Sequence, residues 1–466
     1  MLLGPVKPAV AAGHPATADA GWEILAEGGS AADAAVAASL ASCVAETVMT
    51  GLLGGGHAIV LDAASGRASN LDCFVGVPGL GAEPSAGVEL LELEVPFGTE
   101  LIHYAVGPAS CAVPGLPAGL GALWREHGRL PWPRLVEPAL RLARSGVELP
   151  PAHASCLAML APVMRMDVGD RIYAPGGRLL EAGDTLQQPG LVAALEVLAA
   201  EGPETFYSGT LAEALLELVE ERGGLVTRED LAAYEAVWTP PLEASYTGRR
   251  VLTRGGLSDL AETLERLPLL AGRSETQRVL ALVAALVGRP GEGHTTNLVA
   301  VDSSGSACVV TSSLGLGSGD FLPGYDLHLN SMLGEAELLV APLAPGSRME
   351  SMMAPTLVLD GQGLVAAAGA AGGSRLRTAL VTVLAGILDE GLAPQEAVDR
   401  PRVHPAGEVV HAEPGVDAAA LEALEAAGHK VRRWPAPHHY FGGVSVVTRS
   451  GAAADPRRSG AARTAR

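Results

Sequence analysis

Thr295 and Thr296 open the run Thr295-Thr-Asn-Leu-Val-Ala-Val-Asp302 in a chain of 466 residues. A threonine hydroxyl is a weak nucleophile unless a neighbouring base takes its proton. A backbone cut between His294 and Thr295 would supply that base, because the freed α-amine, with a pKa of about 8, sits on the same residue. A Thr-Thr pair also has a plain explanation, since β-branched residues favour extended backbone. Alone, the pair leaves catalysis and strand entry both open.

The elements that would position Thr295 are legible on either side. Arg289-Pro-Gly-Glu-Gly293 predicts a turn-rich, flexible approach to His294. Ser303-Ser-Gly305 predicts a turn, and Ala307 to Ser313 a returning strand, so Thr295 stands at the mouth of a hairpin. Nearer the N-terminus, Thr17 to Ala26 and Ala31 to about Val48 read as helices, the second capped by Ser30 and rich in Ala. A Gly-rich run, Gly51 to Gly56, then precedes a hairpin pattern formed by His57–Asp62 and residues 68–72. That run is either a close-packing or a functional loop; a phosphate loop is disfavoured because no Gly-Lys-Ser/Thr follows.

The middle, Gly107 to about Tyr234, reads as mainly helical with Pro-rich joints, and Arg254 to Pro290 as helical again. Strand pieces are expected at Thr356 to Leu359, Leu364 to Ala368 and Gly443 to Thr448. Gly369-Ala-Ala-Gly-Gly-Ser374 should open a helix running to about Leu388, and the tail from Ser450 should be disordered. Strand pairs flanked by helices, without strict βαβ alternation, predict an α+β layered sandwich.

The bulk composition sets limits on partners. A net charge of −20 argues against nucleic acid and against an anionic membrane surface as partners. Five scattered cysteines, without Cys-x-x-Cys or a Cys/His cluster, indicate neither a disulfide framework nor a metal site. His438-His439 lacks a third ligand and reads as a surface or satisfied pair. No signal peptide or membrane helix is apparent, so the expected location is the cytoplasm and no cofactor is called for.

Several blocks together resemble the γ-glutamyltransferases, of the N-terminal nucleophile hydrolase superfamily. They are Gly13-His-Pro-Ala-Thr-Ala-Asp-Ala-Gly21, Gly28-Gly-Ser-Ala-Ala-Asp-Ala-Ala-Val-Ala37, the 51–56 run and Val113-Pro-Gly-Leu-Pro-Ala-Gly119. Further blocks are residues 223–234, 295–302, 355–359, Gly372-Gly-Ser-Arg375, 395–404, 441–444 and Ala454-Asp-Pro-Arg-Arg458. The resemblance implies a four-layer αββα sandwich and a precursor that cuts itself before Thr295. Residues 1–294 would form a large subunit and 295–466 a small one, both in one core, as a heterodimer of the chain's two fragments or a homodimer of the whole. Thr295 would be the nucleophile, Ser313 its hydroxyl neighbour, and the N–H groups of Gly372 and Gly373 the oxyanion hole. Ser351 falls on a substrate-contacting serine. The substrate would be a small-molecule amide, and the acceptor water or an amine.

The departures concern substrate recognition. Phe74 and Val75 stand where the family has an Arg-Glu pair that grips the glutamyl α-carboxylate. Gly315 replaces an asparagine, Met352 the second contacting serine, and Asn330-Ser-Met-Leu-Gly-Glu335 the usual Asn-Asn-Gln-Met-Asp-Asp run, leaving Glu335 as a substitute amine ligand. Arg348 and Arg375 are alternative carboxylate anchors, or else structural ion pairs. The connection from Arg254 to His294 is short for the family, and its Pro-Pro-Ser-Ser-Gly-Gly signal is missing. These features predict a threonine amidohydrolase with an altered acyl pocket. The alternatives are a cephalosporin-acylase-like or polyglutamate-cleaving amidase and, in another class, an uncut, non-catalytic binding or assembly protein.

Overall fold

The computed structural model describes residues 6–82, 90–97, 100–287, 295–340 and 343–465. The predicted flexible approach at 289–293 lies outside them. Two antiparallel sheets stack face to face. The first has seven strands in the order Ala461–Thr464, Ala9–Ala12, Thr296–Val301, Ala307–Ser313, Gly55–Asp62, Arg67–Cys73, Val237–Thr239. The second has six, in the order Gly451–Ala454, Gly443–Thr448, Gly363–Ala371, Thr356–Asp360, Arg249–Thr253, Leu242–Tyr246. Alternation along the strands sends Ile59, Val299, Val309, Leu357, Ala367 and Val447 into the layer between the sheets.

Helices cover both outer faces, giving the αββα order. Ala31–Ala45 is buried along its whole length on the first sheet, and its small side chains allow close approach to the strands. Ser30 and Asp33 close its N-terminus as a reciprocal capping box. Arg375–Leu388 packs on the Gly363–Ala371 and Gly443–Thr448 strands of the second sheet. Among the described residues, no helix is long and apolar enough to cross a membrane.

Residues on both sides of position 295 build both sheets. The Thr296–Val301 strand is clasped between Ala9–Ala12 and Ala307–Ser313. A cut before Thr295 would therefore leave two fragments sharing one hydrogen-bonded core.

Three local expectations are corrected. The tail from Ser450 is ordered, because Gly451–Ala454 and Ala461–Thr464 complete the two sheets and Asp455 receives Arg402 and Arg457 in the interior. Of the 254–290 stretch, the described residues 254–287 hold two short helices, Leu260–Arg266 and Glu275–Leu286. Pro268 follows the first, and Ser274 caps the second. The Ala-rich helix ends at Ala45, before Val48.

Candidate active site

Thr295 lies just before its strand and is buried. The register pairs Thr296 with Ser312, which sets Thr295 across from Ser313 at the end of the hairpin. Ser313 in turn pairs with Gly55 on the adjacent strand, and its Oγ accepts a hydrogen bond from the Gly315 N–H at 3.0 Å. The Gly-rich run beside it serves close packing: a Cβ on Gly56 would stand 2.5 Å from the Thr311 carbonyl oxygen, and one on Gly54 would strike the Ser313 carbonyl. Asn297 ties this end of the first sheet to the second, donating to Gly443 O at 3.1 Å and accepting from Ser445 N at 3.1 Å.

Across the gap, Gly372 (φ 126°) and Gly373 (φ 57°) lead into the Arg375–Leu388 helix. Their carbonyls accept the first turn's N–H groups from Arg375 and Leu376, each at 3.1 Å. Their own N–H groups precede the helical ladder, at the positive end of the helix dipole. Side chains are excluded at Gly372, where a Cβ would come within 2.9 Å of Gly442 Cα.

One cavity of about 30 Å³, room for roughly two waters, unites these groups. Thr295, Ser313, Gly373, Ser351, Met352, Phe74 and Glu335 all line it, while Gly372 stands one residue behind. Met332, Leu338, Met353 and Leu376 complete an apolar wall that the sequence motifs do not mark. Ser351 is held by its main chain, since Arg254 donates to its carbonyl at 2.9 Å.

Phe74 is fixed from several directions. Its N–H donates to Asp72 at 2.9 Å, its carbonyl accepts from Arg348 at 2.7 Å, and its ring stacks on His57 at 5.5 Å. Burial, with the charges of Arg254 and Arg348, pushes the His57 pKa well below its ordinary value and keeps the ring neutral. Arg348 also lies 4.4 Å from the Tyr234 ring, and it lines a different cavity. It is therefore a structural cation. Arg375 is buried against Tyr440, 5.0 Å from its ring centre, and is likewise absent from the Thr295 cavity lining. Val75 is fully buried outside the cavity. His438 caps the turn at Tyr440 through its ring nitrogen, as a satisfied residue.

Glu335 is the one ionisable group among the cavity's lining residues. Burial, reinforced by the charge of Glu337, raises its pKa well above the carboxylate range. Its Oε1 has no hydrogen-bond partner among the described residues. That oxygen occupies the space a side chain at position 315 would fill, 2.4 Å from a Cβ built on Gly315. The shorter residue at 315 and the longer acid at 335 therefore fit each other.

Two residues at the back of the site were assigned no role from sequence: Glu46, which lies outside every motif, and Arg458, which closes the 454–458 block. Glu46 accepts hydrogen bonds from Thr17 and Thr296, and Arg458 approaches Gly372, with Nη2 3.3 Å from where its Cβ would be. An acid at the C-terminal end of a helix of small, mostly apolar residues, where a negative charge opposes the helix dipole, was the available clue to Glu46.

A family model described as gamma-glutamyltranspeptidase matches residues 17–281 and 273–465. The chain belongs to the gamma-glutamyltranspeptidase family. It is 28% identical to the acylase ACY 1 proenzyme of Pseudomonas sp. (strain V22), over 94% of this chain and 89% of that protein. It is also 28% identical to the glutathione hydrolase proenzyme of Escherichia coli (strain K12), over 88% of this chain and 83% of the relative. In fold it is similar to cephalosporin acylase from Bacillus halodurans, with a TM-score of 0.83 and 24% identity over 99% of this chain and 96% of that one. As a gamma-glutamyltranspeptidase-family protein, the chain is an N-terminal nucleophile hydrolase by fold. Within that frame its cavity presents Phe74 and Met352, at the positions to which the sequence resemblance assigns an arginine and a serine.

Proposed function

We propose that the chain cuts its own backbone before Thr295 and then transfers the acyl group of an amide, one lacking a free α-carboxylate, to water or an amine. The observation that carries this reading is the composition of the Thr295 cavity: a threonine, a serine and the Gly373 turn, walled by Phe74, Leu338 and methionines, with no cationic side chain. After the cut, the α-amine of Thr295 takes the proton from Oγ as Oγ attacks the amide carbonyl. The N–H groups of Gly372 and Gly373 receive the developing oxyanion. Collapse expels the amine with that proton, and water or a second amine then releases the acyl group from Thr295. The word proenzyme in both relatives' names supports processing. Soluble, cytoplasmic action is part of the same proposal.

A free α-carboxylate would enter this cavity with no charge partner, forfeiting a contact of about 1.5–3 kcal/mol. The test compares kcat/KM for γ-glutamyl p-nitroanilide, its α-amide and an apolar acyl p-nitroanilide. The capped or apolar acyl groups should be favoured by about tenfold or more. Turnover that requires the free glutamyl head would overturn the reading.

A further inference from the structure

His57, whose ring stacks on Phe74, lines a separate cavity of about 500 Å³, the size of a small-molecule site. This cavity shares no lining residue with the one around Thr295. It lies at the open edge of the sandwich. There Pro240 and Pro241 carry the chain from Val237–Thr239, the edge strand of the first sheet, to Leu242–Tyr246, the edge strand of the second. The register pairs His57 with Asp72 and Ile59 with Asn70, so all four residues share the face that looks toward the second sheet. His57 and Asn70 are diagonal neighbours on that face, close enough for one small group to reach both.

Two buried acceptors stand in the lining. His57 is 1% exposed and Asn70 5% exposed, and neither His57 Nε2 nor Asn70 Oδ1 has a hydrogen-bond partner among the described residues. His57 Nδ1 faces Asp72 at 3.7 Å, which favours the proton on Nδ1 and leaves Nε2 as an acceptor. Asn70 is oriented by its other amide atom, since Nδ2 donates to Thr253 O at 2.9 Å. Donors come from Arg254, whose Nη1 bonds to the carbonyls of Ser351 and Met353 use two of the guanidinium's five. The charges balance: Arg254 interacts with Asp72 and Glu350, and Arg348 stands 3.5 Å from Asp72. An occupant therefore needs no net charge, two donors and one acceptor.

We infer that this cavity is a second ligand site, for an uncharged molecule bearing a primary carboxamide, and that its occupant acts on the acyl cavity through His57 and Arg254. The two amide N–H groups donate to His57 Nε2 and Asn70 Oδ1, and the amide oxygen accepts from Arg254. Pro240, Pro241 and Leu242 offer an apolar rim to the rest of the molecule. Thr295 does not line this cavity, so the amide is bound there and not cleaved. Its contacts reach the acyl side by two routes: His57 stacks on Phe74, and Arg254 holds Ser351 and Met353, and all three of those residues line the Thr295 cavity. The binding half stands without the acyl-transfer reading, whereas the coupling half rests on it.

Binding is tested without turnover, by ligand-observed NMR with benzamide, N,N-dimethylbenzamide and benzoate. Wild type should bind benzamide at least about tenfold more tightly than the other two, which lack the N–H donors. His57→Phe keeps a ring against Phe74 but removes Nε2, and should bring the three within about twofold; Asn70→Ser should also narrow the gap. Equal affinities in wild type, or a gap that survives in both folded variants, would overturn the site. Coupling is tested by steady-state hydrolysis of an apolar acyl anilide. Saturating benzamide should change kcat/KM by about fivefold or more in wild type and leave His57→Phe unaffected. The same change in both proteins, or none in wild type, would overturn the coupling. A protein that binds benzamide but hydrolyses no anilide defeats the acyl-transfer reading and with it the coupling, while the site stands.

Discussion

Glu46 is tied to Thr296, the residue that follows the nucleophile, by a 2.5 Å hydrogen bond from the threonine hydroxyl to its carboxyl group. The contact is buried, and Thr17 donates to the other carboxyl oxygen at 2.6 Å. It fixes the start of the Thr296–Val301 strand from the helix side while Thr295 faces the gap between the sheets. The position of the nucleophile therefore depends on an acid that never enters the catalytic cavity.

That acid should leave a signature in stability. Burial pushes the Glu46 pKa up to about 7 from 4.5, against the hydrogen bonds of Thr17 and Thr296 and the charge of Arg458. The folded chain thus keeps a proton that the unfolded chain releases. The associated stability is complete below the unfolded value and is lost as pH rises through the folded one. Relative to Glu46→Gln, wild type should lose up to about 3 kcal/mol between pH about 4.5 and about 8, read by urea unfolding at each pH.

The buried network in the C-terminal region should respond in the opposite direction. Asp455 accepts from Arg402 at 2.6 Å and from Arg457 at 3.2 Å. Burial alone would raise its pKa, but the two guanidinium charges outweigh that and hold it below 3.8. Its contribution is present above that pH and lost as pH falls through the lowered value. Asp455→Asn leaves Arg402 buried without its counter-charge and should cost about 3–5 kcal/mol at neutral pH in a denaturation experiment.

Gly372→Ala should separate binding from chemistry. The new methyl meets Gly442 Cα at 2.9 Å, in a backbone conformation with φ 126°, so the turn must move. A displaced oxyanion donor lowers kcat by about 10²–10³ with a much smaller change in KM, measured by steady-state hydrolysis of an anilide.

Phe74→Ala should open the acyl cavity. Removing a buried aromatic ring costs about 3–5 kcal/mol of stability. In the surviving folded enzyme, kcat/KM should shift toward bulkier acyl anilides, because Phe74, its ring stacked on His57, lines the same cavity as Thr295. An unchanged acyl preference would show that Phe74 does not bound the substrate.

The sequence made the central hairpin readable because its signals are local. Alternating side chains at 296–301 and 307–313 flank a Ser-Ser-Gly turn, and the Gly372-Gly373 turn stands directly before its helix. The tail was misread because what orders it is remote. Arg457 and Arg458 look like solvent-exposed charges until Glu413 and Asp455 receive the first and Met49 the second. Glu335 was visible as a possible amine ligand, but its fit with Gly315 depends on a contact across twenty residues.

The central claim is that Thr295 becomes an N-terminus, and intact-mass analysis of the purified protein tests it most directly. Wild type should give two masses that divide the chain between His294 and Thr295 yet co-purify, because strands from both fragments interlock in each sheet. Thr295→Ala should give one mass, that of the whole chain. A wild-type protein that stays in one piece under native conditions would contradict the account and leave an uncut binding or assembly protein in its place.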